Sequence, residues 1–507
     1  MRRALVKMAL LDALLLAAWG ASVGLVLLHE RGPWLLRSAP ALSTLRATMD
    51  VREQWFGIYY QGAKLGFAHT LIAPHERNGI PGISIRDQGE LVFNLLGEPQ
   101  RMSIQAWAFI DADWRLAEFE AGVVSDEQRV AWHGVRDGDV IRLTIETPSG
   151  KAASELRDPQ GRTFVTGMSS WAVFHELAVG QQGTFLVLNP LALRPEPVMF
   201  SVPRSELVDG RTALIVETTM GSMTSTSWVT QDGEVLRETS PLGWELVQEP
   251  MEKAMTGLSG ASPALDLLSA TSVPVTPDLG DPARVARAVV LMRGVRESQI
   301  TVERAGQRRL PPERLAAYGR EAPEGPWVLL ELSGQDPVPS AEPETGPPSG
   351  YLAPSPFVQA DDPRVIALAR EAVGDRTGPW EQALALYAYV WRTLKKQYTI
   401  GIPTALDVMA TNTGDCHEHT VLYTALARSR GIATRMMAGL VYQHGRFYYH
   451  AWPEVWMGRW VPLDPTLGQA PADLTHIGLI EAEAQELAAL GQFVGRVSLE
   501  VLETEAK

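Results

Sequence analysis

The chain has 507 residues, too many for one ordinary hydrophobic core, so two to four domains are expected. Its 45% hydrophobic and 21% charged content is that of a folded protein, and a net charge of −14 without a basic stripe argues against nucleic acid as a partner. A single cysteine, Cys416, excludes an intramolecular disulfide.

Arg2, Arg3 and Lys7 precede a largely apolar run from Met8 to Leu28. At ~1.5 Å per residue a helix of that length reaches roughly 31 Å, the thickness of a bilayer hydrocarbon core. Asp12, its one charge, lies near the basic end and can reach the headgroups. Residues 1–28 therefore predict a cytoplasmic stub and a single-pass inner-membrane anchor, with the bulk of the chain in the periplasm. The alternative is a cleaved signal peptide with a site near Ala18-Trp19-Gly20; continuation of the run to Leu28 favours the anchor.

Residues 29–50 form a juxtamembrane linker. From 51 to 255 short apolar runs are punctuated by turn signals at Gln61-Gly62, Asp111-Ala112-Asp113, Asp137-Gly138 and Asp232-Gly233. Turn residues between alternating apolar positions predict serial hairpins, hence a large antiparallel β domain. A linker over 256–280 leads to a small β-containing segment, 281–332, with ARAVVLMRGV and PWVLLELSG as strands. A Pro/Gly/acid-rich loop over 333–350 has almost nothing to bury.

The next stretch, 351–480, carries the chemistry; 481–507 is a C-terminal tail. Asp362-Pro363 starts a helix that stops at Gly374. A second begins at Pro379 and buries Trp380, Ala383, Leu384, Tyr387, Val390, Trp391 and Leu394 at helical spacing. A loop over 399–415 precedes a third helix, from Cys416 to Arg430, capped by Asp415. The thiol then sits in the first turn, where the helix dipole stabilises a thiolate and free N–H groups can receive an oxyanion. Strands follow. His450, Trp452, Glu454 and Trp456 share one face of the first hairpin strand, and Asp464 falls on the neighbouring strand within cross-strand reach of the imidazole. Thiol, imidazole and carboxylate are the parts of a nucleophilic triad.

Gly414-Asp415-Cys416 with its helix, His450-Ala451-Trp452 with Glu454-Val455, and Leu463-Asp464-Pro465-Thr466 resemble the transglutaminase-like superfamily of papain-fold cysteine enzymes. The resemblance implies an α+β catalytic domain of helices packed on an antiparallel sheet. It makes Cys416 the nucleophile, His450 the general base and acid, and Asp464 the group that orients the imidazole. It also implies an upstream oxyanion-hole side chain, for which Trp391, Gln397 and Tyr398 are the candidates.

His417 and His419 invite a metal reading, but residues two apart on a helix diverge. A zinc set of Cys416, His419 and His450 would consume the nucleophile, and no CxxC or HExxH spacing supports it. No metal and no cofactor is expected. Glu418 and His419 are read as capping or pocket-shaping groups, and Trp391 as core; His444 and His476 have no assigned role. The expected function is acyl transfer through a Cys416 thioester, hydrolysing an amide or peptide bond in a protein or peptide substrate. The alternatives are a cross-linking transglutaminase and a non-catalytic periplasmic scaffold or peptide-binding module.

Overall fold

The structure, a computed structural model, describes residues 51–507 except 165–176, 258–270, 335–345, 398–402, 484–489 and several shorter stretches. The expected anchor, the juxtamembrane linker and most of the acidic loop lie outside the described residues. Among those described, no helix is long and apolar enough to cross a membrane. Two compact units divide the chain between Leu267 and Leu268.

The first unit is one antiparallel meander of fifteen strands, with a single parallel pair at one edge. Its opening strand, Arg52–Tyr60, lies mid-sheet, paired on one side with Ala63–Arg77 and on the other with Trp244–Gln248. The reason for strand is visible in Val140–Thr147, where Ile141, Leu143 and Ile145 are buried and the residues between them are not. All four expected turns fall between strands, as do Asn78-Gly79 and Asp209-Gly210. Positive φ at both residues of those two (50° and 77°; 47° and 78°) is the geometry that matches strand twist.

The second unit is built on nine strands: β1 (Val273–Thr276), β2 (Val285–Arg293), β3 (Gln307–Arg309), β4 (Trp327–Ser333), β5 (Thr434–Gln443), β6 (Arg446–Trp456), β7 (Trp460–Pro462), β8 (Ile477–Glu481) and β9 (Ser498–Ala506). Their order is β3-β4-β2-β9-β1-β6-β5-β8, with β7 on β6. The 281–332 segment and the C-terminal tail thus enter the same sheet as the hairpin bearing His450: β9 pairs antiparallel with β2 and parallel with β1, which pairs with β6. Among the described residues strands outweigh helices, so the protein is mostly β rather than evenly α+β, and the helices gather in this unit apart from the four-residue turn of helix Met251–Ala254.

Four helices cover the site: α1 (Pro363–Val373), α2 (Pro379–Thr393), α3 (Ala405–Thr411) and α4 (Cys416–Ser429). Asp362 caps α1 through the Arg364 N–H, with proline at the first helical position. The loop expected over 399–415 contains α3. Its start is a capping box, in which Thr404 accepts from the Asp407 N–H and Asp407 accepts from the Thr404 N–H. α4 is buried from Cys416 to Arg428 and packs against α1, α2, α3, β5 and β6. It is a central helix, which is why its sequence lacks a clean polar face.

Candidate active site

Asp415 is the N-cap of α4. Its carboxylate accepts from the His417 N–H at 3.0 Å, and Glu418 Oε2 reaches back to the Asp415 N–H at 2.8 Å. The turn requires Gly414: a Cβ there would lie 2.1 Å from Glu418 Cβ, far inside van der Waals contact. Gly414 is also tied to the end of α2 by a short parallel bridge, in which Lys396 faces Gly414. Cys416 is the first residue of α4 and is fully buried. The positive end of the α4 dipole therefore lies at its sulfur, which favours thiolate over thiol.

His450 is carried on β6, opposite Gly439 of β5. The strand places His450, Trp452 and Glu454 on one face; the His450 and Trp452 rings stack with centroids 6.0 Å apart. Asp464 lies just past β7, in a tight loop closed by the Asp464 N–H donating to the Gln469 carbonyl. Its Oδ1 accepts from the Thr466 and Leu467 N–H groups, both at 2.8 Å, and its Oδ2 meets His450 Nε2 at 2.7 Å. A carboxylate can only accept, so Nε2 of His450 carries the proton and Nδ1 of the neutral ring is a lone-pair base. Burial works against charge on Asp464, but the two histidines hold its carboxyl well below the usual carboxylate range.

The second histidine is His476, which has no role assigned from sequence. Its Nε2 lies 3.0 Å from the same Asp464 Oδ2, and its Nδ1 lies 3.2 Å from the Asp473 carbonyl and 3.3 Å from Asp473 Oδ1. Despite burial, these partners push its pKa up to about 9. Asp473 is itself held by the Thr475 N–H and hydroxyl at 2.9 and 2.6 Å. Asp473 and Thr475 form a recognisable side-chain turn, but no sequence signal shows that such a turn would aim His476 at Asp464.

Glu454 is fully buried between two guanidinium groups. Arg304, from the segment between β2 and β3, donates to Glu454 Oε1 through Nε at 3.0 Å and also through Nη2. Arg435 of β5 donates to Oε2 at 3.0 and 2.7 Å. Arg304 also lies over the Trp452 ring, 5.3 Å from its centroid, and donates to the His476 carbonyl at 2.6 Å. One residue from outside the hairpin thus braces both histidine-bearing elements. Glu454→Ala, which strands the buried Arg304 and leaves Arg435 only Glu481 as a carboxylate partner, should lower unfolding free energy by about 3–5 kcal/mol, seen as a shifted urea midpoint at unchanged m-value. A loss under 1 kcal/mol would show the network to be incidental.

His419 lies one turn along α4 from Cys416. Its Nδ1–H donates to the Asp415 carbonyl at 2.5 Å, and burial pushes the ring's pKa down to about 4. It is a neutral, buried group rather than a surface cap, while Glu418 does cap. The zinc set of Cys416, His419 and His450 does not assemble as such: among the described residues the donor atoms that come together here are those of His450, Asp464 and His476. The two hydrogen bonds already described account for that cluster.

Trp391 is not core. It is 40% exposed on α2, stacked on Tyr387, with its ring against Gly468 in the Asp464 loop. A Cβ at Gly468 would lie 2.7 Å from that indole, at a φ of +76°, so this contact also needs glycine. Gln397 is exposed and Tyr398 lies outside the described residues, so no oxyanion-hole side chain is assigned. Lys396 is half-buried beside this face, where burial lowers its pKa and the Asp464 charge opposes that shift.

Residues 366–465 match the model of the transglutaminase-like superfamily. They form a transglutaminase-like domain. The matched stretch begins inside α1, spans Cys416 and His450, and ends just after Asp464, leaving out Arg304, Asp473 and His476. No curated protein matches the chain in sequence. Among solved structures, a candidate cysteine protease from Cytophaga hutchinsonii is 16% identical, with 44% of this chain and 87% of that one covered and a TM-score of 0.29. A DUF1089 family protein from Pseudomonas aeruginosa is 19% identical over 36% of this chain and 87% of its own, with a TM-score of 0.20. Scores that low carry no argument about fold or function.

Proposed function

We propose that the transglutaminase-like domain is a cysteine-dependent acyl-transfer enzyme acting on an amide or peptide bond. The observation that carries this reading is the Asp464–His450 hydrogen bond through Nε2, which leaves Nδ1 as base on the strand packed against the helix that starts at Cys416. The Cys416 proton passes to His450 Nδ1, and the resulting Sγ thiolate attacks the carbonyl carbon. The tetrahedral intermediate collapses, the C–N bond breaks, and the imidazolium returns the proton to the leaving amine. The thioester is then taken by water, activated by the same imidazole, or by an amine. Hydrolysis is the favoured outcome, because water far exceeds any amine not held in the site.

The substrate is a protein or peptide. The basic residues before Met8–Leu28 and the length of that run support an inner-membrane anchor with the catalytic domain in the periplasm.

Because Cys416 is the only cysteine, alkylation of the whole protein reads one site. Iodoacetate should label the native chain at pH 6 at least tenfold faster than a free thiol of ordinary pKa, which is about 8.5. A second reading, a peptide-binding module with an inert triad, is favoured by the complete burial of Cys416. It requires labelling only after denaturation, and that result would remove the enzymatic assignment.

A further inference from the structure

Asp464 serves two histidines, and only one of them belongs to the triad. Both nitrogens of His476 face acceptors: Asp464 Oδ2 on one side, the Asp473 carbonyl and Oδ1 on the other. None of these oxygens carries a proton to give while the two carboxylates are ionised, so each ring nitrogen must bring its own. A doubly protonated imidazole is a cation, here in a fully buried site. Its raised pKa and the lowered pKa values of Asp473, to about 2, and of Asp464 agree with this charge pattern.

We propose that His476 is a positioning residue, a buried imidazolium that shares Asp464 Oδ2 with His450 and limits how strongly that carboxylate holds a proton on His450. The inference rests on the Cys416-His450-Asp464 reading above. The four groups form a row of alternating charge once His450 is protonated: His450, Asp464, His476, Asp473. Without His476 the two carboxylates would act on His450 unopposed, and a base that keeps its proton too firmly is slow to return it to a leaving amine.

Other charges face this row. From β6 come His450 itself, its ring centroid 5.9 Å from that of His476, and Glu454, whose charge is matched by Arg304 and Arg435. Arg304 binds the His476 carbonyl rather than its ring. Lys396 and Tyr387 of the α2 side and His419 of α4 act on or feel Asp464. His419 is neutral above about pH 4 and Tyr387 below about pH 12, so of these three Lys396 is the one charged in the working range. None of these groups binds the ring nitrogens of His476, which Asp464 and Asp473 occupy.

Two measurements on the full-length protein test this. The first is the ring ¹⁵N spectrum of the wild type labelled in its ten histidines. After Cys416 is capped with neutral iodoacetamide, so that no thiolate holds a proton on His450, one imidazole should keep both ring protons at pH 8, where an ordinary histidine, with a pKa of about 6.5, has lost one. A spectrum with no imidazolium at pH 8 overturns the proposal, whether or not any variant folds. The second is the pH profile of Cys416 alkylation by iodoacetate. This anion is drawn to the imidazolium beside the thiolate, so its rate rises as the thiolate forms and falls as His450 deprotonates. His476→Gln removes the cation, and the alkaline limb should move up by about one pH unit. A lower curve with unmoved limbs would mean that His476 only supports the fold, which also overturns the proposal. A wild-type profile without an acid-side thiolate sinks the catalytic reading, and the positioning role with it; the ¹⁵N spectrum then still scores the charge of His476 separately.

Discussion

Cys416→Ala should lower turnover of an amide substrate by about 10⁶-fold, to the level left by binding alone. The chain has no second thiol to take over the attack. The change is mild for the fold. Alanine is a better helix former than cysteine, and only a sulfur atom leaves the core, so unfolding free energy should fall by no more than about 1–2 kcal/mol. The far-ultraviolet spectrum and cooperative melt should be retained while activity and iodoacetate labelling vanish. An Ala variant that still turns over within a factor of ten would place the chemistry elsewhere in the chain.

Much of this site can be read from sequence because its parts are local. Asp415 before Cys416, Asp362-Pro363 and Gly374 are helix signals that depend only on near neighbours, and each marks an observed boundary. The His450 strand and Asp464 are linked by a short hairpin, so alternation and turn length suffice to bring them together. The α3 helix is missed, its stretch reading as loop, because its seven residues are too few to show a period and its start is marked only by Thr404 and Asp407. What else was not legible depends on closure over long separations. β9 joins β2 across some two hundred residues, and Arg304 reaches Glu454 from a segment that reads as a separate small module. Nothing in a one-dimensional pattern encodes such pairings. His476 fails for a related reason: the chain between Asp464 and His476 is a loop, whose path is set by the Asp473–Thr475 turn rather than by periodicity.

The same loop explains why Asp464 should tolerate no isostere. Asp464→Asn is expected to reduce turnover by about 10⁴-fold. The carboxylate uses both oxygens as acceptors, Oδ1 for two backbone N–H groups and Oδ2 for two imidazole N–H groups. Asparagine has one such oxygen. Facing the backbone, it turns an NH₂ donor toward His450 and His476; facing the imidazoles, it turns that donor toward the Thr466 and Leu467 N–H groups. The backbone donors cannot move, so the first arrangement is the less costly. His450 then escapes a donor–donor clash only by shifting its proton from Nε2 to Nδ1, and the lone pair that would accept the thiol proton is gone. The thiolate loses its imidazolium at the same step, so labelling at pH 6 should fall in parallel with turnover. In a Cys416→Ala background the substitution should cost almost nothing further in rate, because base and nucleophile act as one unit. A full additional loss in the double variant would show that Asp464 acts outside the triad, and a single variant within tenfold of wild type would reduce Asp464 to a loop-closing carboxylate.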